Sequence, residues 1–285
     1  YATLALDRTH WELGSKQINL LVLSILWRGV AIPIAWVSLN KDGNSSQQER
    51  IELFRAVLKT FPLKNKTLLA DREFLGEDWF RFLKEQEIHF MVRLRKDAYK
   101  HEIAKGAKLS YDEICQRALN RRTATAYSFE LQKNRLSFVI LKNPNPNADF
   151  EDRLLYFVSD LPQEEARNNV NQYQLRWKIE CLFKNLKSNG THFDNLFLKD
   201  DLKIEMMVGL VVIGYIFSVI EGVKEQEKNK PPTKKYKKNN TQYPAVSIFR
   251  TGFSIFKAKI LSVFELIDAF IFIVNNIEID PQTSQ

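Results

Sequence analysis

Residues 171–187 constrain the fold of this chain more than any other stretch, because their spacing is that of a helix with two distinct faces. A helix advances about 100° per residue. Four polar residues then fall within roughly 60° of one another, namely Tyr173, Arg176, Glu180 and Lys187. A separate apolar stripe, about 120° away, consists of Leu175, Ile179, Leu182 and Leu186. We therefore expect the apolar stripe to pack against a core and the polar face to carry the function.

The polar face allows two interpretations. A carboxylate with an arginine one turn before it and a lysine two turns after it is suited to hold a cation and to contact a polyanion at the same time. The alternative is a solvated helix face on which Arg176 and Glu180 form one ordinary ion pair, worth about 0.3 kcal/mol. This helix alone does not decide between them.

The composition limits the class of protein and its partners. The chain has 285 residues, 45% of them hydrophobic, so it can bury one large core or a core that carries a smaller inserted domain. Lys and Arg number 42 against 34 Asp and Glu, and the formal net charge of +8 favours a polyanionic partner. Cys115 and Cys181 fit neither a disulfide framework nor a zinc site, so we expect a reducing, cytoplasmic location. The apolar run 206–220 is shorter than the roughly 20 residues that span a bilayer and predicts a buried helix with no membrane partner.

Strands and helices alternate along the first 94 residues. Residues 1–6 and 67–70 are short apolar runs, and each is followed at once by an aspartate, Asp7 or Asp71. This alternation predicts a mixed α/β sheet that is flanked by helices on both faces. Asp7 and Asp71 would lie at strand ends, where such sheets carry their chemistry. Further strands are predicted at 19–27, 31–39 and 88–94, and helices at 49–60 and 77–86.

Residues 93–160 have a different pattern and predict a β-rich insertion before the last helix of the site. Strands are expected at 123–131, 135–141 and 154–158. Basic residues alternate with aromatic ones, a mixture suited to gripping a nucleic-acid backbone and stacking on a base. An ordinary solvated sheet with half of its aromatic rings in the core is an equally compatible alternative. The residues concerned are Arg93, Arg95, Lys96, Lys100, Arg117, Arg121, Arg122, Lys133 and Arg135, with Tyr99, Tyr111, Tyr127 and Phe129.

The remaining chain is predicted to be mainly helical. We expect a long helix over 163–187, a buried helix over 202–222 and one or two apolar helices over 247–275. The basic stretch 224–240 is either a DNA-contacting loop or a solvated linker. The predicted division is therefore a core formed by 1–92 and 161–222, the insertion 93–160, a linker 223–243 and a C-terminal helical segment 244–285.

Asp7, Asp71 and Glu180 are far apart in the sequence, yet the predicted strand ends and the helix could bring them to one point. Three carboxylates can hold two divalent cations about 3.5–4 Å apart, which activate a water or a 3′ hydroxyl and stabilise the leaving oxygen of an in-line phosphodiester displacement. Oxygen ligands suit Mg²⁺ or Mn²⁺ and need no cysteine or histidine. His10 follows Asp7 closely enough to lie near such ions, although a lone histidine is more often structural.

Three segments carry a resemblance to a known family. Residues 5–9 (Ala-Leu-Asp-Arg-Thr), residues 69–74 (Leu-Ala-Asp-Arg-Glu-Phe) and the pattern Tyr173, Arg176, Glu180, Lys187 resemble the DDE motifs of bacterial insertion-sequence transposases of the Tyr-Arg-Glu-Lys signature subgroup. The last pattern matches that signature at all four positions, and the resemblance covers about residues 1–222. It implies a ribonuclease-H-like fold in which Asp7, Asp71 and Glu180 are the catalytic residues and the ligands of two Mg²⁺ or Mn²⁺ ions. The implied DNA-binding residues are Tyr173, Arg176, Lys187, Lys184 and Arg72.

Two features depart from the family pattern. Glu73 follows Asp71-Arg72 where some relatives have glycine, and no end-recognition domain precedes Tyr1, so we expect a fragment or a processed end. The resemblance also implies that cut-and-paste members form a DNA hairpin on the element end. An aromatic residue of the insertion would receive a flipped base, and Tyr127 and Phe129 are the candidates.

The resemblance implies an enzyme, the catalytic domain of a DNA transposase that cuts and joins DNA in a metal-dependent reaction. Its partners would be transposon ends and target DNA, with a homodimer in the synaptic complex, in the bacterial cytoplasm at the nucleoid. One alternative is a truncated or domesticated transposase that binds DNA or the intact enzyme without catalysis. Another is a nuclease of the same fold that cleaves without joining.

Overall fold

A computed structural model of the chain describes residues 3–13, 16–145, 147, 149, 152–187, 200–235 and 242–276. The chain divides into two compact units. One is formed by the described residues up to Lys187, and the other by those from Asp200 onward. Every predicted site residue lies in the first unit.

The first unit is built on a single mixed sheet. The strands are β1 (Thr3–Leu13), β2 (Lys16–Trp27), β3 (Val30–Ser38), β4 (Thr67–Ala70), β5 (His89–Arg93), β6 (Thr125–Leu131), β7 (Asn134–Lys142) and β8 (Leu154–Ser159). Their spatial order is β3-β2-β1-β4-β5-β8-β7-β6. β1, β4 and β5 run parallel, and the other neighbours pair antiparallel. The predicted mixed α/β sheet is confirmed, in an arrangement consistent with a ribonuclease-H-like fold.

Helices connect the strands and lie against the sheet. The first unit contains α1 (Gln47–Leu58), α2 (Glu77–Glu85), α3 (Lys100–Ala107), α4 (Tyr111–Leu119), α5 (Gln163–Asn169), a 3₁₀ helix (Val170–Arg176) and α6 (Trp177–Lys187). α1 begins two residues before the predicted start at residue 49, because Ser46 and Glu49 form a capping box that satisfies the first free N–H groups.

The alternation of side chains along the central strands gives the sheet two core layers. Leu4, Leu6 and Leu68 point to one face and join the larger core with residues of α1 and α2. Leu69 points to the other face and joins a smaller core that includes Ala166 of α5. Helices therefore cover both faces of the central strands, and the strand β4 contributes to each layer.

The prediction that Asp7 ends its strand is wrong. β1 continues to Leu13, because it forms a long antiparallel hairpin with β2 in which Leu13 pairs with Lys16. The parallel pairing of β1 with β4 nevertheless ends at Leu6 and Ala70. Asp7 thus lies where its neighbouring strand ends, which leaves one side of β1 open.

Residues 93–160 contain the expected strands and also two helices, α3 and α4, that the strand pattern did not predict. The signal for α4 is present in the sequence as a capping box between Ser110 and Glu113. The three strands extend the main sheet, since β8 pairs with β5 through Met91 and Ser159. The segment boundaries given above stay a prediction.

The long helix predicted over 163–187 is interrupted by the 3₁₀ helix. Ile179, Leu182 and Leu186 are buried as the apolar stripe requires, but Leu175 is 39% exposed. A 3₁₀ helix has about three residues per turn, so Leu175 no longer lies in line with the stripe on α6. The tighter turn falls on the segment that carries Tyr173 and Arg176.

The second unit is a pair of long helices, α7 (Asp201–Lys228) and α8 (Ile248–Asn276), with short paired strands β9 (Thr233–Lys235) and β10 (Gln242–Pro244). The helices approach closely at Gly252, where an added Cβ would lie 1.7 Å from the Ser218 carbonyl oxygen. α7 extends into the predicted basic stretch, and the apolar segment after 247 forms one helix.

The prediction that 202–222 is a buried helix is only partly correct. Val208 and Val212 are buried, whereas Met206 is 62% and Leu210 is 60% exposed. By length and apolar composition alone, α7 also meets the requirement for a membrane-crossing helix, and 39% of its most apolar window is buried.

Candidate active site

The register of β1 against β4 places Asp7 and Asp71 side by side. Leu6 pairs with Ala70 in the last step of the parallel ladder, and each aspartate is the next residue of its chain segment. Neighbouring strands lie about 4.8 Å apart. Two acidic residues that are distant in the sequence are therefore neighbours at the edge of this pairing.

Both aspartates are oriented in the same way, each by the main chain of the following residue. Asp7 Oδ1 accepts a hydrogen bond from Arg8 N at 2.9 Å. Asp71 Oδ1 accepts one from Arg72 N at 2.7 Å. This repeated contact restricts the rotamers of the two carboxylates.

Arg176 connects the third predicted carboxylate to the first. Its Nη1 donates to Asp7 Oδ2 at 2.7 Å, and its Nη2 donates to Glu180 Oε1. The Arg176 and Asp7 side chains are only 14% and 16% exposed. The interpretation of this helix face as a solvated surface with an ordinary intrahelical pair is therefore wrong, since the guanidinium joins β1 to α6.

Tyr173 supports Arg176 from the 3₁₀ helix. Residues three apart in a 3₁₀ helix lie one above the other, and the Arg176 guanidinium carbon is 5.8 Å from the Tyr173 ring centroid. The ring also packs edge-on against Phe157 of β8, with centroids 4.8 Å apart. Burial raises the pKa of Tyr173 well above its ordinary value, against the opposing effect of Arg176. The phenol thus stays protonated and anchors the arginine to the smaller core.

The charges of the site act strongly on one another. Burial raises the pKa of Asp7 to about 6, although Arg176 and the Arg8 N–H lower it, and the charge of Asp71 raises it further. Burial acts to lower the pKa of Arg176, but Tyr173, Asp7, Asp71 and Glu180 together raise it above its ordinary value. The guanidinium is therefore permanently charged, and all three carboxylates lie within its electrostatic reach.

The donor chemistry of the site fits a hard divalent cation, because Asp7, Asp71 and Glu180 supply only oxygen ligands. In the part of the chain that the structure describes, however, no group of three acidic, histidine or cysteine side chains is gathered at metal-binding spacing. Two of the carboxylates are arranged around Arg176 instead. A positive charge already lies where the predicted ligands converge.

The other predicted DNA-binding residues lie around this group. Lys187 Nζ donates to the His10 carbonyl oxygen, so it reaches β1 close to Asp7. Lys184 and Arg72 are exposed, and Arg72 directly follows Asp71. His10 itself lies on the opposite face of β1 from Asp7, where its ring contacts Arg8.

A basic cleft begins beside Asp71. It has a volume of about 540 Å³, and its lining includes Arg72, Arg93, Arg95 and Lys96. It shares Lys96 with a cavity of about 620 Å³ that Lys100, Arg153, Tyr111 and Tyr156 line. Four of the predicted basic residues of the insertion, Arg93, Arg95, Lys96 and Lys100, therefore lie along one path from the carboxylates.

The two predicted base-receiving aromatics are not exposed rings. Phe129 is buried in the larger core and packs 6.3 Å from Tyr99 between ring centroids, so its assignment as a base receptor is wrong. Tyr127 is partly buried against the same core. Alternate side chains of β6 point into the core, and Phe129 is one of them. The charged residues around it in the sequence make this alternation hard to recognise.

Two features of the site were not singled out from the sequence. Trp177 directly follows Arg176 and is 60% exposed, an unusual position for so large a ring. Arg8 forms an ion pair with Glu73, which joins the segments that carry Asp7 and Asp71. The sequence does contain a signal for this ion pair, because Arg8 directly follows Asp7 and Glu73 lies two residues after Asp71.

Comparison with known proteins identifies the family. No curated protein sequence gives a significant match. A cryo-EM structure of a piggyBac transposase synaptic complex with hairpin DNA is similar at 16% sequence identity and a TM-score of 0.49, covering 100% of this chain and 59% of that one. The chain thus spans less than two thirds of that transposase. The family model for the transposase DDE domain matches residues 1–217, so the chain belongs to the transposase DDE domain family.

Proposed function

We propose that this chain is the catalytic domain of a DNA transposase that cleaves DNA and transfers the cut strand with the help of divalent cations. The observation that carries the proposal is that Arg176 pairs with both Asp7 and Glu180, while the end of the β1–β4 pairing places Asp71 beside Asp7. Family membership supports a transposase, while the reaction, the metal and the Tyr-Arg-Glu-Lys subgroup belong to the proposal.

Asp7, Asp71 and Glu180 would hold two Mg²⁺ or Mn²⁺ ions. When bound, the ions supply activation of a water or a 3′ hydroxyl and stabilisation of the leaving oxygen. The raised pKa of Asp7, to about 6, means that this ligand is ionised at neutral pH but exchanges its proton in mildly acidic solution.

Arg176, Lys187, Lys184 and Arg72 would contact DNA phosphates next to the reacting bond. A guanidinium that is held by two carboxylates in the free protein is correctly placed to receive a phosphate when the carboxylates bind cations instead. Tyr173 holds this arginine through its ring. The basic cleft that begins at Arg72 would accept a strand of the transposon end or of the target DNA.

The proposed partners are therefore transposon ends and target DNA, with two copies of the chain acting together because paired ends must be cut together. We propose a cytoplasmic, nucleoid-associated location on the same grounds. We include hairpin formation on the transposon end in the proposal because the resemblance to insertion-sequence transposases implies it.

One observation favours a second candidate function, a relative that binds DNA without catalysis. Arg176 already pairs with both Asp7 and Glu180, as a positive charge would in a protein that no longer binds cations. In such a non-catalytic protein, Asp7 and Glu180 would stay paired with Arg176 and would not bind a metal ion.

Plasmid nicking and strand joining in Mg²⁺ or Mn²⁺ would test the proposal without knowledge of the terminal repeat. The variants are Asp7→Ala, Asp71→Ala and Glu180→Ala, with Lys64→Ala as a control because Lys64 forms an exposed ion pair with Glu87. We expect activity in the wild type and the control and none in the three variants. Full activity in those variants would end the proposal, and DNA binding without metal binding or any cut product would favour the second candidate.

A further inference from the structure

The main-chain contacts that align Asp7 with Asp71 stop one residue before both of them. The β1–β4 ladder ends at Leu6 and Ala70, because β4 ends there while β1 continues. After this point Asp71 lies in a turn in which Phe74 N donates to its carbonyl oxygen at 3.0 Å. Some other contact has to hold this turn against β1.

The Arg8–Glu73 pair supplies that contact. Arg8 Nε lies 3.3 Å from Glu73 Oε1, and Arg8 Nη2 lies 3.3 Å from Glu73 Oε2. The two side chains are 14% and 19% exposed. A bidentate arginine–carboxylate pair fixes orientation as well as distance, so it acts as one more step of the ladder made from side chains.

Each partner of this pair is itself held from behind. Arg8 Nη1 donates to Asn19 Oδ1 at 3.1 Å, and Asn19 Nδ2 donates to the Gly43 carbonyl oxygen at 2.9 Å. The buried Arg50 donates through Nη2 to the Glu73 carbonyl oxygen at 3.0 Å. The pair is therefore set in a rigid frame rather than on a mobile surface.

The position of the pair excludes a direct part in the chemistry. Arg8 lies on the opposite face of β1 from Asp7, because successive side chains of a strand alternate. Both Glu73 oxygens face the Arg8 guanidinium. Apart from the charge of Glu73, which acts through space to raise the pKa of Asp7, any effect of the pair on the reaction passes through the main chain that carries the two aspartates.

We propose that the Arg8–Glu73 pair is a positioning element that holds Asp71 beside Asp7 and thereby sets the affinity of the chain for a divalent cation. The inference rests on the proposed function, since it assumes that the two aspartates bind the cation. Contacts that orient metal ligands from behind typically contribute about 10-fold to 100-fold in metal affinity.

The test is a Mn²⁺ titration of the full chain without DNA, followed by the loss of the electron paramagnetic resonance signal of free Mn²⁺. The variants are Arg8→Ala, Glu73→Ala and the double variant, measured at a temperature where circular dichroism shows each to be folded. Glu73→Gln and Arg8→Lys replace them if the alanine variants do not fold. The matched control is the exposed pair Lys64–Glu87, changed in the same three combinations.

We expect each single change to weaken Mn²⁺ binding about tenfold, the double change to be no worse than the more severe single one, and the control changes to have no effect. Plasmid nicking by the Glu73 variant should recover at high Mn²⁺ concentration, which a general loss of stability would not produce. A loss in the Glu73 variant alone, with Arg8→Ala unchanged, would make Glu73 a ligand and overturn the inference.

The outcomes for the two proposals are separable. If the wild type binds Mn²⁺, Asp71→Ala abolishes the binding and Glu73→Ala leaves it unchanged, only the positioning role is wrong. If the wild type does not bind Mn²⁺, or if Asp71→Ala leaves its Mn²⁺ binding unchanged, the proposed function is wrong. The positioning role is then wrong as well.

Discussion

The two faces of the sheet at β1 differ in how their charged side chains are paired. On one face Arg176 is shared between Asp7 and Glu180, and burial raises the pKa of Asp7 to about 6. On the other face Arg8 and Glu73 form a bidentate pair in which each oxygen meets its own nitrogen. Asp7 and Arg8 are adjacent in the sequence, yet one face carries competing charges and the other carries matched ones.

This difference shows how one strand serves two purposes. Alternation along a strand sends neighbouring residues to opposite faces, so chemistry and support can be encoded side by side. Several carboxylates around one arginine repel one another, and a bound cation would reduce this repulsion. A matched pair gains nothing from a cation and is suited to hold the main chain in place. Variants on the two faces should therefore behave differently.

The largest expected effect belongs to the face with competing charges. Asp7→Asn, Asp71→Asn and Glu180→Gln should each lower the rate of plasmid nicking by on the order of 10³-fold. Nicking rates at saturating Mg²⁺ provide the measurement, with Lys64→Ala as the control. A variant within tenfold of the wild type would remove its residue from the site.

Removal of Arg176 tests the sharing of its charge. In Arg176→Ala, the largely buried Asp7 carboxylate loses its counter-charge. The free energy of unfolding should therefore fall by about 3 kcal/mol at pH 8. The loss should shrink at pH 5, where Asp7 is protonated. Urea unfolding at both pH values provides the measurement, and Arg8→Ala is the matched comparison from the other face. A loss equal at both pH values would contradict the coupling of Arg176 to Asp7.

The raised pKa of Asp7 predicts a pH dependence of stability that the other face lacks. A carboxyl group whose pKa rises to about 6 on folding, from an ordinary 3.8, binds its proton more tightly in the folded chain. Its stabilising contribution is therefore complete below pH 3.8 and is lost as the pH rises through about 6. The difference in unfolding free energy between wild type and Asp7→Asn should change by about 3 kcal/mol across this window. A flat difference would show that Asp7 is not perturbed.

Trp177 tests whether the first face also binds DNA. Because its ring is mostly exposed, Trp177→Ala should alter the unfolding free energy by less than about 0.5 kcal/mol. Loss of a stacking surface should weaken single-stranded DNA binding about tenfold, measured by fluorescence anisotropy. Phe61→Ala is the control, since Phe61 is an exposed ring (38%) after α1. Equal effects of both changes would argue against a DNA contact at Trp177.

The smallest effect is expected on the second face, away from both ion pairs. Ser46→Ala removes the cap of α1 and should cost about 1 kcal/mol of unfolding free energy. Nicking and Mn²⁺ binding should remain at wild-type levels. Altered Mn²⁺ affinity would mean that any weakening of this face reaches the aspartates, and the special role of Arg8–Glu73 would be lost.

The sequence predicts much of this architecture because its signals are local. Thr67–Ala70 is found as predicted, and the capping box of α1 fixes its start. The polar face of residues 171–187 correctly brings Arg176 and Glu180 together, since residues four apart are neighbours on any helix. The link from Arg176 to Asp7 depends on packing between β1 and α6, which no local pattern contains.

The failures have physical causes of the same kind. The 3₁₀ turn that exposes Leu175 arises where the chain passes from α5 to α6 over the sheet, and apolar spacing alone does not reveal it. Phe129 has charged neighbours in the sequence, although its position in β6 sends it to the core. The Arg8–Glu73 pair depends on the register of two parallel strands, which is set by long-range contacts.

The central claim is that Asp7, Asp71 and Glu180 together bind a divalent cation. Anomalous diffraction from crystals soaked in Mn²⁺ tests it most directly, because the method locates the ion and its ligands without any activity. We expect Mn²⁺ within about 2.2 Å of oxygens of Asp7 and Asp71, with Glu180 completing the site and the Arg176 guanidinium moved away from Asp7. Crystals that take up Mn²⁺ only elsewhere, with Arg176 still joined to Asp7 and Glu180, would contradict it.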